Sequence, residues 1–351
     1  MAKNTTRKTS ATTRKRLTAK PLRKRAKIAS RDPGSTVIPQ LDHIQTRGGD
    51  GVLSFGRGKT MHVSSLGKTY FPRDGFTKGD VMRYYAGVAP MLLPVVADRP
   101  LVLKRYPEGI AGPSFFQQNA GPRVPEGVRT ARVATVGGDH ADRIIGGDLL
   151  TLLYLVQIGA IAVHSWQARI QSPRSADSTT IDLDPGDDVP FSGVVGLANL
   201  IKVELDRLKL RAAVKTSGSS GLHIVLPLPP KTGFGDAARL AQTVAERVVG
   251  DNPRRATLER SVKARPPGTI YVDAQQNAEG KSVVAAYSLR ERQGATVSAP
   301  LDWRELRSAL RLDSFTINTM PARLKKVGDL WGSAMKRPNT QRAIERVLGG
   351  A

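Results

Sequence analysis

The chain has 351 residues, no cysteine, and 54 Lys or Arg against 30 Asp or Glu, a net charge of +24. The missing thiols exclude disulfides, cysteine nucleophiles and Cys-ligated zinc, and neither a membrane-length apolar run nor a signal-peptide core is present. Such a charge calls for an anionic partner, drawn in by long-range attraction and counterion release, and the chain reads as a cytoplasmic, nucleoid-associated protein.

Residues 1–31 hold twelve Lys or Arg and no acid, half of the net charge. With few large apolar residues they cannot build a core. The expectation is a disordered basic arm over residues 1–50 that adds DNA affinity; an organelle transit peptide or a solubilising tail has the same composition. Ordered structure is expected from about Gly51, with a hairpin over Val52–Val63 around Gly56-Arg57-Gly58. Thr77 is a plausible N-cap for a helix to Ala97, with Val81, Tyr84, Tyr85 and Val88 on its apolar face. A strand over Pro100–Tyr106, a helix over Gly147–Ile158 and a buried strand over Ala160–Ser165 follow. Next come a strand over Thr180–Asp184, helices near 192–209 and 235–249, and two short strands flanking Thr216–Gly221. Thr269–Asp273 and Val283–Leu289 complete the strands. The pattern is α+β, mixed sheets with flanking helices, with a catalytic body over 51–310 and a C-terminal helical extension over 311–351.

Asp182 and Asp184 lie in the β-type run Thr-Ile-Asp-Leu-Asp-Pro. Residues two apart on a strand share a face, so two carboxylates crowd together unless a cation separates them. They suit Mg²⁺ or Mn²⁺, with Asp273, at the end of another strand, as a third oxygen ligand. A two-metal centre of this kind activates an attacking hydroxyl and a leaving phosphate oxygen. The alternative is a solvated acidic strand end running into Pro185-Gly-Asp-Asp188.

Between two β-type runs lies Lys215-Thr-Ser217-Gly-Ser-Ser220-Gly221-Leu-His223. Small residues let backbone N–H groups approach phosphate oxygens, although the spacing is not that of a Walker loop; a plain flexible hairpin would look alike. His223 could face the same phosphate or simply sit in the core.

These segments together resemble the polymerase domain of bacterial ligase D, a branch of the archaeo-eukaryotic primase superfamily. The resemblance runs in order from about Thr60 to Trp303. It passes through Leu66-Gly-Lys68-Thr-Tyr-Phe-Pro, Thr77-Lys78-Gly-Asp, Arg99-Pro-Leu, Phe115-Phe116-Gln-Gln-Asn119 and His164-Ser-Trp166. It continues through the aspartate and glycine-loop motifs to Asp273-Ala-Gln-Gln276-Asn277 and Tyr287-Ser-Leu-Arg290-Glu-Arg292. The resemblance implies a primase-polymerase fold and a metal site of Asp182, Asp184 and Asp273. It implies that Ser217 and His223 grip a nucleoside triphosphate, with Arg290, Arg292 and His164 in the same cleft. It implies that Lys68 and Lys78 grasp a 5′-phosphate, and that Phe115 and Phe116 pack on nucleic acid, as aromatic side chains do in sequence-tolerant binding. Taken alone, the two lysines would be ordinary surface residues and one phenylalanine could belong to the core.

Ser220 and Gln118 stand where the family often carries cations, and Arg265 stands one place early with two prolines behind it, so its family role is not carried over. No Lys-x-Asp-Gly ligase motif occurs, so a separate DNA ligase, and with it an end-binding protein, is the expected partner on gapped or broken DNA. The implied activity is template-directed nucleotidyl transfer to a 3′-hydroxyl. A priming polymerase, a metal-dependent nuclease and a non-catalytic basic DNA-binding protein are the alternatives; the glycine loop and the arginine pair speak against the nuclease.

Overall fold

A computed structural model describes Met1 and residues 34–134 and 138–349. The basic arm expected over residues 1–31 lies, apart from Met1, outside the described residues. In chain order the elements are α1 (Gly34–Thr46), β1 (Gly51–Ser54), β2 (Thr60–Val63), β3 (Thr69–Phe71), β4 (Phe76–Thr77) and α2 (Lys78–Val96). Then come β5 (Leu101–Arg105), β6 (Phe115–Gln117), β7 (Thr130–Ala134), β8 (His140–Ile144), α3 (Leu149–Gln157), β9 (His164–Trp166), β10 (Ser178–Pro185) and α4 (Phe191–Arg207). The second half holds β11 (Ala213–Thr216), β12 (Leu222–Pro227), α5 (Phe234–Asp251), β13 (Ala256–Thr257), β14 (Ile270–Asp273), β15 (Ser282–Val284) and β16 (Pro300–Leu301). The chain closes with α6 (Met320–Val327), α7 (Leu330–Met335) and α8 (Gln341–Gly349).

Two larger sheets organise the molecule. One has six strands in the order β13-β14-β10-β12-β11-β16, the other four in the order β15-β9-β5-β6. In the six-stranded sheet only β13 and β14 run parallel. Alternation assigns its faces: Ile181, Leu183, Leu222, Ile224, Ile270 and Val272 are buried on the side covered by α4 and α5, where the Thr179 hydroxyl donates to the Ala237 carbonyl at 2.7 Å. The opposite face carries the polar residues described below.

Helix α2 starts where its cap residue dictates. The Thr77 hydroxyl accepts from the Asp80 N–H at 3.2 Å while the Asp80 carboxylate accepts from the Thr77 N–H at 2.8 Å, a reciprocal capping box. Ordered structure begins before Gly51: α1 packs on α2 and buries Val37, Leu41 and Ile44, so residues 34–46 belong to the fold and not to an arm. At the other end, Trp331, Ile344 and Val347 of α7 and α8 are buried, and Asp32–Ala351 forms one compact unit with no break at 310.

Two expected strands shorten. Ala160–Val163 is buried but pairs only through a bridge from Ala160 to Arg105, so the ladder starts at His164. Val283–Leu289 leaves its ladder after Val284, because the chain turns at Tyr287, which adopts φ 69°. Outside their ladders both runs are paired only by isolated bridges, Ala160 to Arg105 and Leu289 to Val297, so burial alone does not make a strand.

Candidate active site

A row of ionisable side chains crosses four strands of the large sheet. Pairing registers set Lys215 of β11 opposite His223 of β12, His223 opposite Asp182 of β10, and Asp182 opposite Asp273 of β14. Opposed residues on neighbouring strands project to one face, so all four lie on the side away from α4 and α5. Asp184 and Tyr271 form the next pair along that face.

Asp182 is half-buried between these neighbours. Burial, then repulsion from Asp273, raises its carboxyl to about 7, with Asp184 adding to the effect and Lys215 and Arg290 opposing it. His223 Nε2 stands 3.4 Å from Asp182 Oδ1. On the other side of the ring, Lys215 Nζ is 2.9 Å from His223 Nδ1 and donates to Ser298 Oγ at 2.7 Å. Burial brings the Lys215 ammonium down to about 7, against the attraction of Asp182. Burial, then the cations Lys215 and Arg290, holds His223 well below its ordinary range. His164, at the start of β9, is pushed down to about 4 by burial and then by Arg290.

The three aspartates share a face without forming a finished cage. Asp184 Oδ2 accepts from Arg265 Nη1 at 2.9 Å, and the same guanidinium lies 4.5 Å from the centre of the Tyr271 ring. Asp273 Oδ1 accepts from the Gln275 N–H at 2.7 Å and Oδ2 from Gln276 Nε2 at 3.0 Å. Among the described residues no three carboxylate or imidazole groups converge, as they stand, around one point suited to a metal. The donor chemistry does fit a hard divalent cation: three carboxylates on one face, one of them destabilised as an anion by the other two.

The glycine loop is bound tightly to this row. Ser217 Oγ accepts from the N–H groups of Ser219 at 3.0 Å and Gly221 at 3.1 Å. Gly221 passes so close to β10 that a Cβ would lie 1.9 Å from the Leu183 carbonyl oxygen, and Gly218 adopts φ 71° with the Arg290 side chain against it. Arg290 Nη1 donates to the Ser217 carbonyl at 2.7 Å, and Arg292 donates to Ser219 Oγ. The loop is therefore a braced turn with Ser217 and Ser219 held in place, not a slack hairpin. Ser220 is exposed at its tip.

Farther out, the β3–β4 hairpin brings Lys68 and Lys78 together: the Lys78 N–H donates to the Lys68 carbonyl at 2.8 Å. Lys78 Nζ donates to the Ser64 carbonyl at 2.8 Å, and burial, then the nearby Lys68, lowers its ammonium to about 8. Lys68 pairs with Glu108 at 2.7 Å. Phe115 and Phe116 on β6 are 49% and 68% exposed, so neither belongs to the core. Each has a cation near its face, Arg105 at 5.1 Å from the Phe115 ring and Lys104 at 5.8 Å from that of Phe116. Gln118 accepts from Arg143 Nη1 through its carbonyl at 2.7 Å and its side chain at 3.1 Å.

Lys215 and Tyr271 were given no role in the sequence reading, and Arg265 was set aside there because of its shifted position. Tyr271 was accessible in principle, since it lies two residues from Asp273 on the same strand face, and Lys215 lies on β11 directly before the loop that carries Ser217. Arg265 reaches Asp184 from a loop after β13, which no local pattern encodes.

The family profile described as the LigD primase-polymerase domain matches residues 77–331. The chain is 35% identical over 269 residues to the bifunctional non-homologous end joining protein LigD of Bacillus subtilis (strain 168), covering 76% of this chain and 43% of that protein. It is 34% identical over 280 residues to the multifunctional non-homologous end joining DNA repair protein LigD of Mycobacterium tuberculosis (strain ATCC 25618 / H37Rv), covering 76% and 36%. The match thus spans less than half the length of these relatives. Among solved structures, the polymerase domain of Mycobacterium tuberculosis ligase D, in complex with DNA, superposes with a TM-score of 0.74 at 32% identity over 80% of this chain and 99% of that one. The α+β architecture, the ordered motifs and these matches agree, and the chain belongs to the LigD primase-polymerase domain family.

Proposed function

We propose that the chain is a template-directed nucleotidyltransferase that adds nucleotides to a 3′-hydroxyl at gapped or broken DNA during non-homologous end joining. The family implies the nucleotidyltransferase class. The observation that carries the finer reading is the placement of the aspartate row directly beside the braced loop, through the pairing of Asp182 with both His223 and Asp273.

Asp182, Asp184 and Asp273 would hold Mn²⁺ or Mg²⁺. Bound there, such ions supply charge neutralisation and a lowered pKa for the attacking hydroxyl. The chain's own residues account for the rest. Ser217 and the loop backbone offer donors to the triphosphate, His223 adds an imidazole N–H, and Arg290 and Arg292 bring positive charge to where the pyrophosphate leaves. His164 lines the same cleft as a neutral imidazole. Lys68 and Lys78 supply paired ammonium groups for a downstream 5′-phosphate, and Phe115 and Phe116 offer rings for nucleic-acid stacking. Residues 1–351 hold no Lys-x-Asp-Gly motif, so sealing falls to a ligase outside them, working with an end-binding protein as a further partner.

The test is incubation with Mn²⁺, labelled nucleoside triphosphates and a gapped duplex bearing either a 5′-phosphate or a 5′-hydroxyl. Template-dependent extension, faster with the phosphate, is expected. Asp182→Ala and Asp273→Ala should abolish extension while gel retardation persists, and Lys68→Ala with Lys78→Ala should erase the phosphate preference. Shortening of the primer would establish a nuclease instead, and retardation without extension a binding protein.

A further inference from the structure

Arg290 and Arg292 sit on a strained hairpin. Residues 287–298 fold back on themselves: the N–H groups of Tyr287 and Arg290 donate to the Ser298 and Thr296 carbonyls, both at 2.8 Å, and Leu289 bridges Val297. The chain reverses at Arg292–Ala295, where the Ala295 N–H donates to the Arg292 carbonyl at 3.0 Å. At each end a residue with a side chain adopts left-handed backbone, Tyr287 at φ 69° and Ala295 at φ 43°. Such angles are costly for anything but glycine and persist only where the surroundings impose them. The glycine loop depends on this hairpin, since Arg290 holds the Ser217 carbonyl and Arg292 holds Ser219 Oγ.

Both ends are held by the unit that carries Lys68 and Lys78. At the base, Tyr84 of α2, the helix that Lys78 begins, donates its hydroxyl to the Tyr287 carbonyl at 2.8 Å. The Tyr85 hydroxyl accepts from the Leu289 N–H at 3.1 Å. At the tip, the Gly294 N–H donates to Asp74 Oδ2 at 2.8 Å, a charge-assisted bond. Asp74 lies in the turn between β3 and β4, so two hairpins meet tip to tip across 220 residues of chain. The tyrosines are buried in the core. Asp74 is exposed, and its contact is the one that forms and breaks without unfolding the core.

We propose that Asp74 is a positioning residue that couples the two phosphate sites of the molecule. A 5′-phosphate held by Lys68 and Lys78 steadies the β3–β4 hairpin, Asp74 then steadies the arginine hairpin, and the braced glycine loop binds the incoming triphosphate more tightly. This rests on the assignment of the two lysines to a 5′-phosphate and of the loop and arginines to the triphosphate. Linkage makes the effect reciprocal: the triphosphate raises affinity for a 5′-phosphorylated gap by the same factor.

The experiment measures binding alone, with the full chain, Mn²⁺ and a gapped duplex whose primer lacks its 3′-hydroxyl, so that nothing is incorporated. The Kd for a complementary nucleoside triphosphate is determined on gaps ending in 5′-phosphate and in 5′-hydroxyl, and the Kd for each gap with and without triphosphate. In the wild type the phosphate should tighten triphosphate binding by about fivefold or more, with the same factor in the reverse direction. Asp74→Ala should bring that factor to within about twofold of unity, while the DNA alone keeps its preference for the 5′-phosphate. Asp74→Asn retains an acceptor oxygen and should retain most of the coupling. A wild type that prefers the 5′-phosphate but shows no coupling overturns the proposal, as does coupling that survives in Asp74→Ala. Loss of the 5′-phosphate preference itself in Asp74→Ala also overturns it, since the residue would then merely support the lysine hairpin. A wild type with no preference for the 5′-phosphate in the absence of nucleotide would sink the end-recognition reading, and the coupling with it, a result distinct from all the others.

Discussion

At Asp182 the fold works against ionisation, and that has a measurable sign. Its carboxyl is raised above the value it would have in the unfolded chain, so the folded state binds more protons between roughly pH 4 and 7. The contribution of this group to stability is therefore present at low pH and lost as pH rises through that window. A bound divalent cation reverses the repulsion. Mn²⁺ should raise the melting temperature more at pH 8 than at pH 5, and Asp182→Asn should shrink both the metal effect and its pH dependence. An equal Mn²⁺ shift at the two pH values would argue that the ion binds elsewhere. Gly221 makes a second prediction at this scale. A Cβ there would overlap the Leu183 carbonyl oxygen, so Gly221→Ala must push the loop off β10. Forced overpacking of this kind costs about 1–3 kcal/mol, visible as a lower denaturant midpoint, and the displaced Ser217 should weaken nucleotide binding as well. A variant with wild-type stability and affinity would show that the loop is looser than drawn.

Among the elements, α2 and the β3–β4 hairpin act as one device. Lys78 is the first residue of α2, and its neighbour Thr77 is both the last residue of β4 and the helix cap. The cap thus sets the direction in which Lys78 leaves the backbone. Removing it by Thr77→Ala should cost about 1 kcal/mol, read from chemical denaturation. It should also reduce discrimination between 5′-phosphate and 5′-hydroxyl ends, because Lys78 would lose its fixed starting point relative to Lys68. Lost stability with intact discrimination would separate the helix cap from end recognition. The β-elements make the complementary point. Asp182 lies in the interior of β10 with a paired strand on each side, so its surroundings come from β12 and β14 rather than from its own motif.

For the whole molecule, charge distribution is the quantity with consequences. Twelve of the basic residues fall in residues 1–31, which carry no acid. Deleting them should leave catalysis on short substrates at low salt intact while weakening DNA affinity and flattening its salt dependence. The expected change is roughly 0.9 in the slope of log affinity against log salt for each phosphate released. An unchanged slope, measured by titration over a range of salt, would mean that this segment makes no contact with DNA. No helix among the described residues is long and apolar enough to cross a membrane.

Much of this was legible from the chain alone, for reasons of period and type. Two-residue alternation put Asp182 and Asp184 on one face, the spacing of apolar residues marked α2, α4 and α5, and Thr77 announced a helix start, since each depends on neighbours within a few residues. The ordered motifs carried the family. Other features needed the tertiary structure. Helix α1, which has no Lys or Arg of its own, was counted with the basic arm because its signal, Val37, Leu41 and Ile44, is meaningful only once α2 is there to receive it. Of the strands expected over Ala160–Ser165 and Val283–Leu289, only His164–Ser165 and Val283–Val284 lie in a ladder; the rest is buried with isolated bridges at Ala160 and Leu289, which composition cannot distinguish from a full strand. Most of all, strand register decided the site. Asp182 meets Asp273 across 91 residues and His223 across 41 because antiparallel pairing aligned them, and that same register delivered Lys215 to the back of the His223 ring. A sequence can state which residues share a strand face; which residue stands opposite is settled only when the strands come together and one register buries the apolar face best.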